Sequence, residues 1–99
     1  MYGNPQRRTN SDVLEMRREG GRWLKELREK RGLSQRDLAN SVQTEYYTFI
    51  SQLENGRGRI PPDRYHVWAE ALGVTPREFV TNLMKYYDPV TYDILFGEE

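Results

Sequence analysis

The stretch from Ser34 to Gly56 constrains this chain most, because the signals that start and stop its helices are unusually complete. Ser34 is a favoured N-cap residue, and Asp37 stands three positions later, where a capping-box acid belongs. Leu33 and Leu38 occupy the two positions of a hydrophobic staple. Leu38, Ala39 and Val42 then supply one apolar helical face. A second helix is predicted to begin after Thr44, with Glu45 favourable in the positively polarised first turn. Phe49, Ile50 and Leu53 face inward on it, and Gly56 stops it. The spacing predicts two short helices closed by one tight connection, and the remainder of the chain reads as their support.

Upstream, Met1 to Asn10 (MYGNPQRRTN) is polar, contains Pro5 and reads as a disordered arm. Arg7 and Arg8 suit either a mobile solubilising tail or a basic arm reaching into a neighbouring minor groove. Ser11 is placed to cap a short helix through Val13, Leu14 and Met16, which Gly20-Gly21 interrupts or bends. From about Arg22, the spacing of Trp23, Leu24 and Leu27 describes a one-sided helix closed at Gly32. Downstream, Arg57-Gly58-Arg59 forms a basic loop ended by Pro61-Pro62. Tyr65, Trp68, Ala69 and Leu72 mark a fourth helix stopped by Gly73. The cap device recurs at Thr75, with Pro76 at N1, Glu78 at N3 and Val74 opposite Phe79. Phe79, Val80 and Leu83 face inward on this fifth helix. A last short helix is expected from Asp88 (N-cap) and Pro89 (N1) through Phe96. No stretch alternates like a strand, so the fold class is all-α.

Composition narrows the function classes. The 99 residues suit one domain, and the absence of cysteine excludes disulfides and thiolate metal sites. A single histidine, His66, cannot build a His-rich metal cluster and reads as a helix-surface or core-edge residue. No apolar run approaches the ~18 residues that span a bilayer, and the N-terminus carries no signal-peptide core, so an intracellular protein without membrane contact is expected. The zero net charge hides an asymmetry: residues 1–59 hold 12 Lys/Arg against 8 Asp/Glu, residues 60–99 hold 3 against 7. Such a split suits a polyanion-facing surface, or an ordinary solvated one. The acids of residues 60–99 lie scattered on helical surfaces without a base, a nucleophile partner or a phosphate loop, which argues against an enzyme. The aromatic and apolar tail of Tyr86, Tyr87, Tyr92, Ile94, Leu95 and Phe96 either completes the core or forms a contact with a second copy or another protein.

Three segments carry a family resemblance: LREKRGLSQRDLA across the first two helices, ISQLENG in the third, and WAEALGVTPREF in the fourth and fifth. Over roughly residues 20–84 the chain resembles the lambda-repressor/Cro-like (XRE-type) helix-turn-helix family. The resemblance implies a compact five-helix domain with the helix-turn-helix at helices two and three, preceded by an extension over residues 1–19 and followed by a tail with a short helix over residues 85–99. Helix three would enter the major groove of DNA. Gln35 resembles the glutamine that touches phosphate and braces helix three, and Ser34 stands at a helix N-terminus suited to a phosphate. Tyr47, Thr48 and Gln52 match positions that reach base edges, flanked by Tyr46 and Ser51. Of the two tyrosines, one is expected to pack against the domain, and Tyr47 is the one assigned to DNA. Asn55, Arg57 and Arg59 fall in the loop that contacts the DNA backbone in relatives. Arg28 and Glu54 match a partly buried ion pair tying helix one to helix three. The chemistry suits these roles: glutamine pairs bidentately with adenine, Thr and Tyr offer a hydroxyl and an apolar edge to thymine, and arginine suits phosphates.

One departure from the family pattern sits in the turn. Where relatives carry glycine, four residues after the alanine of helix two, this chain has Gln43, and the distance from there to Ile50 is one residue longer. An altered turn is expected, with helix three rotated or starting later. The resemblance implies a sequence-specific DNA-binding transcriptional regulator, a bacterial or phage repressor acting as a symmetric dimer on a palindromic operator, with half-sites about 34 Å apart or a multiple of that. Double-stranded DNA and a second copy are the expected partners, no cofactor is implied, and the expected location is the cytoplasm, on the nucleoid. Two rival readings share the fold: an antitoxin that represses its own operon and holds a toxin through the C-terminal tail, and a protein-interaction module without DNA binding.

Overall fold

Helix α1 runs unbroken from Asn10 to Lys30, through the glycine pair expected to interrupt it. The computed structural model describes residues 10–44 and 46–97; Arg7 and Arg8 of the basic arm, and Glu45, lie outside them. The helix already contains Asn10, so Ser11 lies within its first turn rather than ahead of it. Gly20 and Gly21 serve close packing. A Cβ on Gly21 would lie 2.3 Å from the carbonyl oxygen of Glu54, and one on Gly20 would lie 2.8 Å from Cβ of Tyr86. Two mid-helix glycines weaken helix propensity by about 1 kcal/mol each, and tertiary contact outweighs that local preference.

Helix α2 spans Gln35–Ser41 with the capping box complete: the Ser34 hydroxyl accepts from the Asp37 N–H at 3.0 Å, and the Asp37 carboxylate accepts from the Ser34 N–H at 3.0 Å. These bonds from Ser34 hold the Asp37 carboxyl below its usual range. Helix α3 spans Tyr47–Glu54, beginning two residues later than the predicted start and without a side-chain cap. The cause lies in the way α2 ends. Gln43 adopts a left-handed conformation, φ 60°, and the Thr44 N–H donates back to the Ala39 carbonyl at 3.0 Å. The Thr44 backbone is thereby drawn back onto α2, and α3 begins only at Tyr47.

A 3-10 turn at Pro62–Arg64 leads into α4 (Tyr65–Leu72), then α5 (Pro76–Tyr87) and α6 (Pro89–Phe96). The α5 cap is half of the expected box: the Thr75 hydroxyl accepts from the Glu78 N–H at 3.1 Å, and among the described residues no return bond from Glu78 to the Thr75 backbone accompanies it. Asp88 caps α6 by accepting from the Thr91 N–H at 3.4 Å. The core is one cluster drawn from α1 to α5 and from Ile60 of the loop after α3, with Leu24, Leu38, Ile50, Trp68, Phe79 and Leu83 fully buried. Trp23 stacks on Phe79 with centroids 5.6 Å apart and meets Tyr86 at 5.8 Å, joining α1 to α5 through aromatic faces. The C-terminal tail divides: Tyr87 belongs to the core and Tyr86 packs on it, whereas Ile94, Leu95 and Phe96 are 74%, 61% and 53% exposed. His66 lies exposed on α4. No helix of the described residues is long and apolar enough to cross a membrane.

Candidate nucleic-acid interface

Helix α3 has two faces set by its own periodicity. Ile50 and Leu53 point into the core with Phe49 at its edge, which turns Thr48 and Gln52, one turn apart, toward solvent. Both side chains border a shallow depression whose other walls are Thr44, Tyr46 and Phe49. Ser51 is half-buried and sits behind this rim. The expectation that one tyrosine packs against the domain fails: Tyr46 is 68% exposed and Tyr47 45% exposed. Tyr46 only borders an open depression lined by Val42, Phe49, Pro61 and Trp68, and neither ring is buried. Tyr47 instead lies under the guanidinium of Arg36, 4.8 Å from the ring centroid. No motif in the sequence marks Arg36; its position on the solvent side of the capped helix α2, beside the turn, is the one signal for it.

A buried polar network fixes the aim of α3. Arg28 donates to both carboxylate oxygens of Glu54, Nε at 2.6 Å and Nη2 at 3.0 Å, and Nη1 donates to the Leu33 carbonyl at 2.8 Å. Gln35 Nε2 donates to the same Glu54 carboxylate at 3.0 Å. One carboxylate thus ties α3 to α1 and to the start of α2, and the bond to Glu54 holds the Arg28 guanidinium above its ordinary pKa. Both partners are buried, so removing either would leave an uncompensated charge at a cost of about 3 kcal/mol. The ion pair expected from the sequence is present, and the bracing by Gln35 with it.

The remaining expected contacts are not gathered into one group. The Ser34 hydroxyl oxygen is engaged in the cap, which leaves its proton to donate outward. Asn55 turns its amide back on α3, donating to the Ser51 carbonyl at 2.9 Å. Arg57 lines a cleft with Arg18 and Arg22 of α1, together with Glu54 and Asn55. Arg59 leans the other way, 4.9 Å from the ring centroid of Tyr87, where Arg17 also approaches at 5.4 Å. Burial pushes the Tyr87 phenol above its ordinary pKa, and its hydroxyl lies beside the Ile60 backbone without a well-formed hydrogen bond. The described residues include no cluster of three or more His, Cys, Asp or Glu fit to hold a metal ion. A family model described as a helix-turn-helix domain matches residues 21–83, from the close contact of Gly21 with α3 to the buried Leu83 of α5. No curated protein matches the chain.

Proposed function

Because this chain belongs to the helix-turn-helix domain family, of the XRE/Cro-like type, we propose that it is a sequence-specific transcriptional repressor that lays α3 in the major groove. The observation that carries the reading is a solvent-facing row on α3 backed by a buried charge network. Tyr47, Thr48 and Gln52 face outward, while Glu54 two positions on is locked to Arg28 and Gln35. A rigid helix presenting hydrogen-bonding side chains is what reading base edges requires. In this reading Gln52 and Thr48 meet bases, with Tyr47 and Tyr46 at the edge and Ser51 behind them. Ser34, Gln35, Asn55, Arg57 and Arg59 serve the phosphates. The DNA-reading unit covers residues 20–84, the arm with Arg7 and Arg8 precedes it, and residues 85–99 form the tail. The protein acts in the cytoplasm on the nucleoid, as a homodimer on a palindromic operator.

The test is a titration of affinity for duplex DNA against salt, followed by selection of bound oligonucleotides from a random pool. Steep salt dependence and a palindromic consensus are expected. Absence of duplex binding at low salt would leave a protein-interaction module as the reading. The exposed row of Ile94, Leu95 and Phe96 favours one second reading, an antitoxin that holds its toxin through this tail. A neighbouring toxin gene and a stable heterocomplex would distinguish it.

A further inference from the structure

Arg18, Arg22 and Arg57 converge although the first two stand more than 30 positions before the third. Arg18 and Arg22 are one helical turn apart on α1. The helix is pressed against the end of α3 and the loop beyond it: a Cβ on Gly56 would lie 2.9 Å from the Arg18 backbone nitrogen, and the Arg17 guanidinium reaches the Gly58 carbonyl at 3.5 Å. We propose that the middle of α1 is a second phosphate-gripping surface, on which Arg18 and Arg22, together with Arg57, hold the duplex backbone beside the recognition helix. The inference rests on the DNA-binding reading and extends it to residues outside the helix-turn-helix.

The charges favour a polyanion there. Glu54, the carboxylate that lines the cleft, is committed to Arg28 in the interior. Glu15 is shared between Arg18 at 3.5 Å and Arg22 at 3.4 Å, and all three side chains are more than half exposed. Exposed pairs of this kind contribute little and are readily exchanged. A phosphate offers each guanidinium a bidentate, charge-assisted partner in place of half a carboxylate. Continuity points to the same occupant, since the cleft also contains Asn55 and Arg57, which follow directly on the exposed face of α3. Glu15 and Arg18 precede the residues matched by the family model, 21–83, whereas Arg22 and Arg57 lie within them, so the surface straddles the edge of the shared domain.

The experiment measures duplex affinity of the full chain against salt for the wild type, R18Q/R22Q and E15Q, on an operator and on random DNA. Losing two phosphate contacts should reduce the slope of log affinity against log salt by about two, so the affinity lost between 50 and 200 mM salt shrinks roughly tenfold. The preference for operator over random sequence should stay unchanged. E15Q removes the competing carboxylate and should bind every sequence several-fold more tightly, a gain that unfolding does not produce. An unchanged slope in R18Q/R22Q with wild-type melting and helical content overturns the proposal, and so does E15Q binding no tighter than the wild type. If the wild type itself shows no salt-dependent binding, the DNA-binding reading falls and this inference with it; a steep wild-type slope with unaltered variants overturns this inference alone.

Discussion

Gln52 and Glu54 stand two positions apart on α3 and act in opposite directions, one outward and one into the interior. Gln52→Ala should therefore weaken binding to the preferred site by roughly 1–3 kcal/mol while leaving random-sequence binding and melting temperature unchanged. Equal loss on all sequences in an anisotropy titration would mean that Gln52 reads no base. Gln43 is a different case, since its effect lies in the backbone. A side chain held at φ 60° costs about 1–2 kcal/mol, and glycine relieves this while bringing more unfolded-state entropy. The balance predicts that Gln43→Gly stabilises the domain by about 0.5–1 kcal/mol, read as a melting temperature a few degrees higher, whereas Gln43→Ala keeps the strain and gains nothing. A lower melting temperature for the glycine variant would show the Gln43 side chain to be holding the turn. These positions also mark how far the site was legible. The exposed row on α3 and the Arg28–Glu54 pair follow from periodicity and motif. The surroundings of Tyr46, Tyr47 and Arg36 depend on where α3 starts, beyond a turn in which the Thr44 backbone is drawn back onto α2. The Arg18–Arg22–Arg57 cleft joins residues more than 30 positions apart, and no local pattern encodes it.

At the level of elements, the helices with side-chain caps were readable and the glycine pair was not. Ser34, Thr75 and Asp88 begin helices where their chemistry predicts, because an N-cap satisfies a backbone donor whatever the rest of the fold does. Gly20-Gly21 reads locally as a break, and only its neighbours show it to be the point where α1 meets α3 and α5. Gly21→Ala separates the two readings. In an exposed helix interior the change stabilises by about 0.5–1 kcal/mol. Here the added carbon would meet the Glu54 carbonyl oxygen at 2.3 Å and its carbonyl carbon at 2.6 Å, backbone atoms with no rotamer to change. The helices must then part, straining the Arg28–Glu54 pair that spans them. The variant should lose roughly 1–3 kcal/mol in chemical denaturation, the range for overpacked sites. A variant more stable than wild type would return Gly20-Gly21 to the status of a tolerated helix flaw.

For the whole molecule, the zero net charge is a poor guide because the charges are separated: the first 59 residues carry the excess of Lys/Arg and the last 40 the excess of Asp/Glu. Locally, Arg18 and Arg22 of α1 meet Arg57 of the loop after α3, and such a cluster favours approach of a polyanion from that side. One copy of α3 reaches only a few base pairs, and symmetric pairing of two copies is the usual way to lengthen the reading. The fold leaves a surface for that pairing on α6, which buries no residue yet exposes Ile94, Leu95 and Phe96. Exposed apolar side chains clustered on one short helix are costly to leave in water unless something covers them. Substituting Asp for both Ile94 and Phe96 should leave the melting temperature of the domain nearly unchanged, since neither side chain contributes to the core. If the proposed homodimer pairs through this tail, sedimentation should show a dimer for the wild type and a monomer for the variant. Affinity for a palindrome should fall to that for a single half-site, while half-site affinity itself holds. A wild type that sediments as a monomer and binds DNA just as its tail variant does would assign the tail to a different protein, and the antitoxin reading would take the place of the dimer.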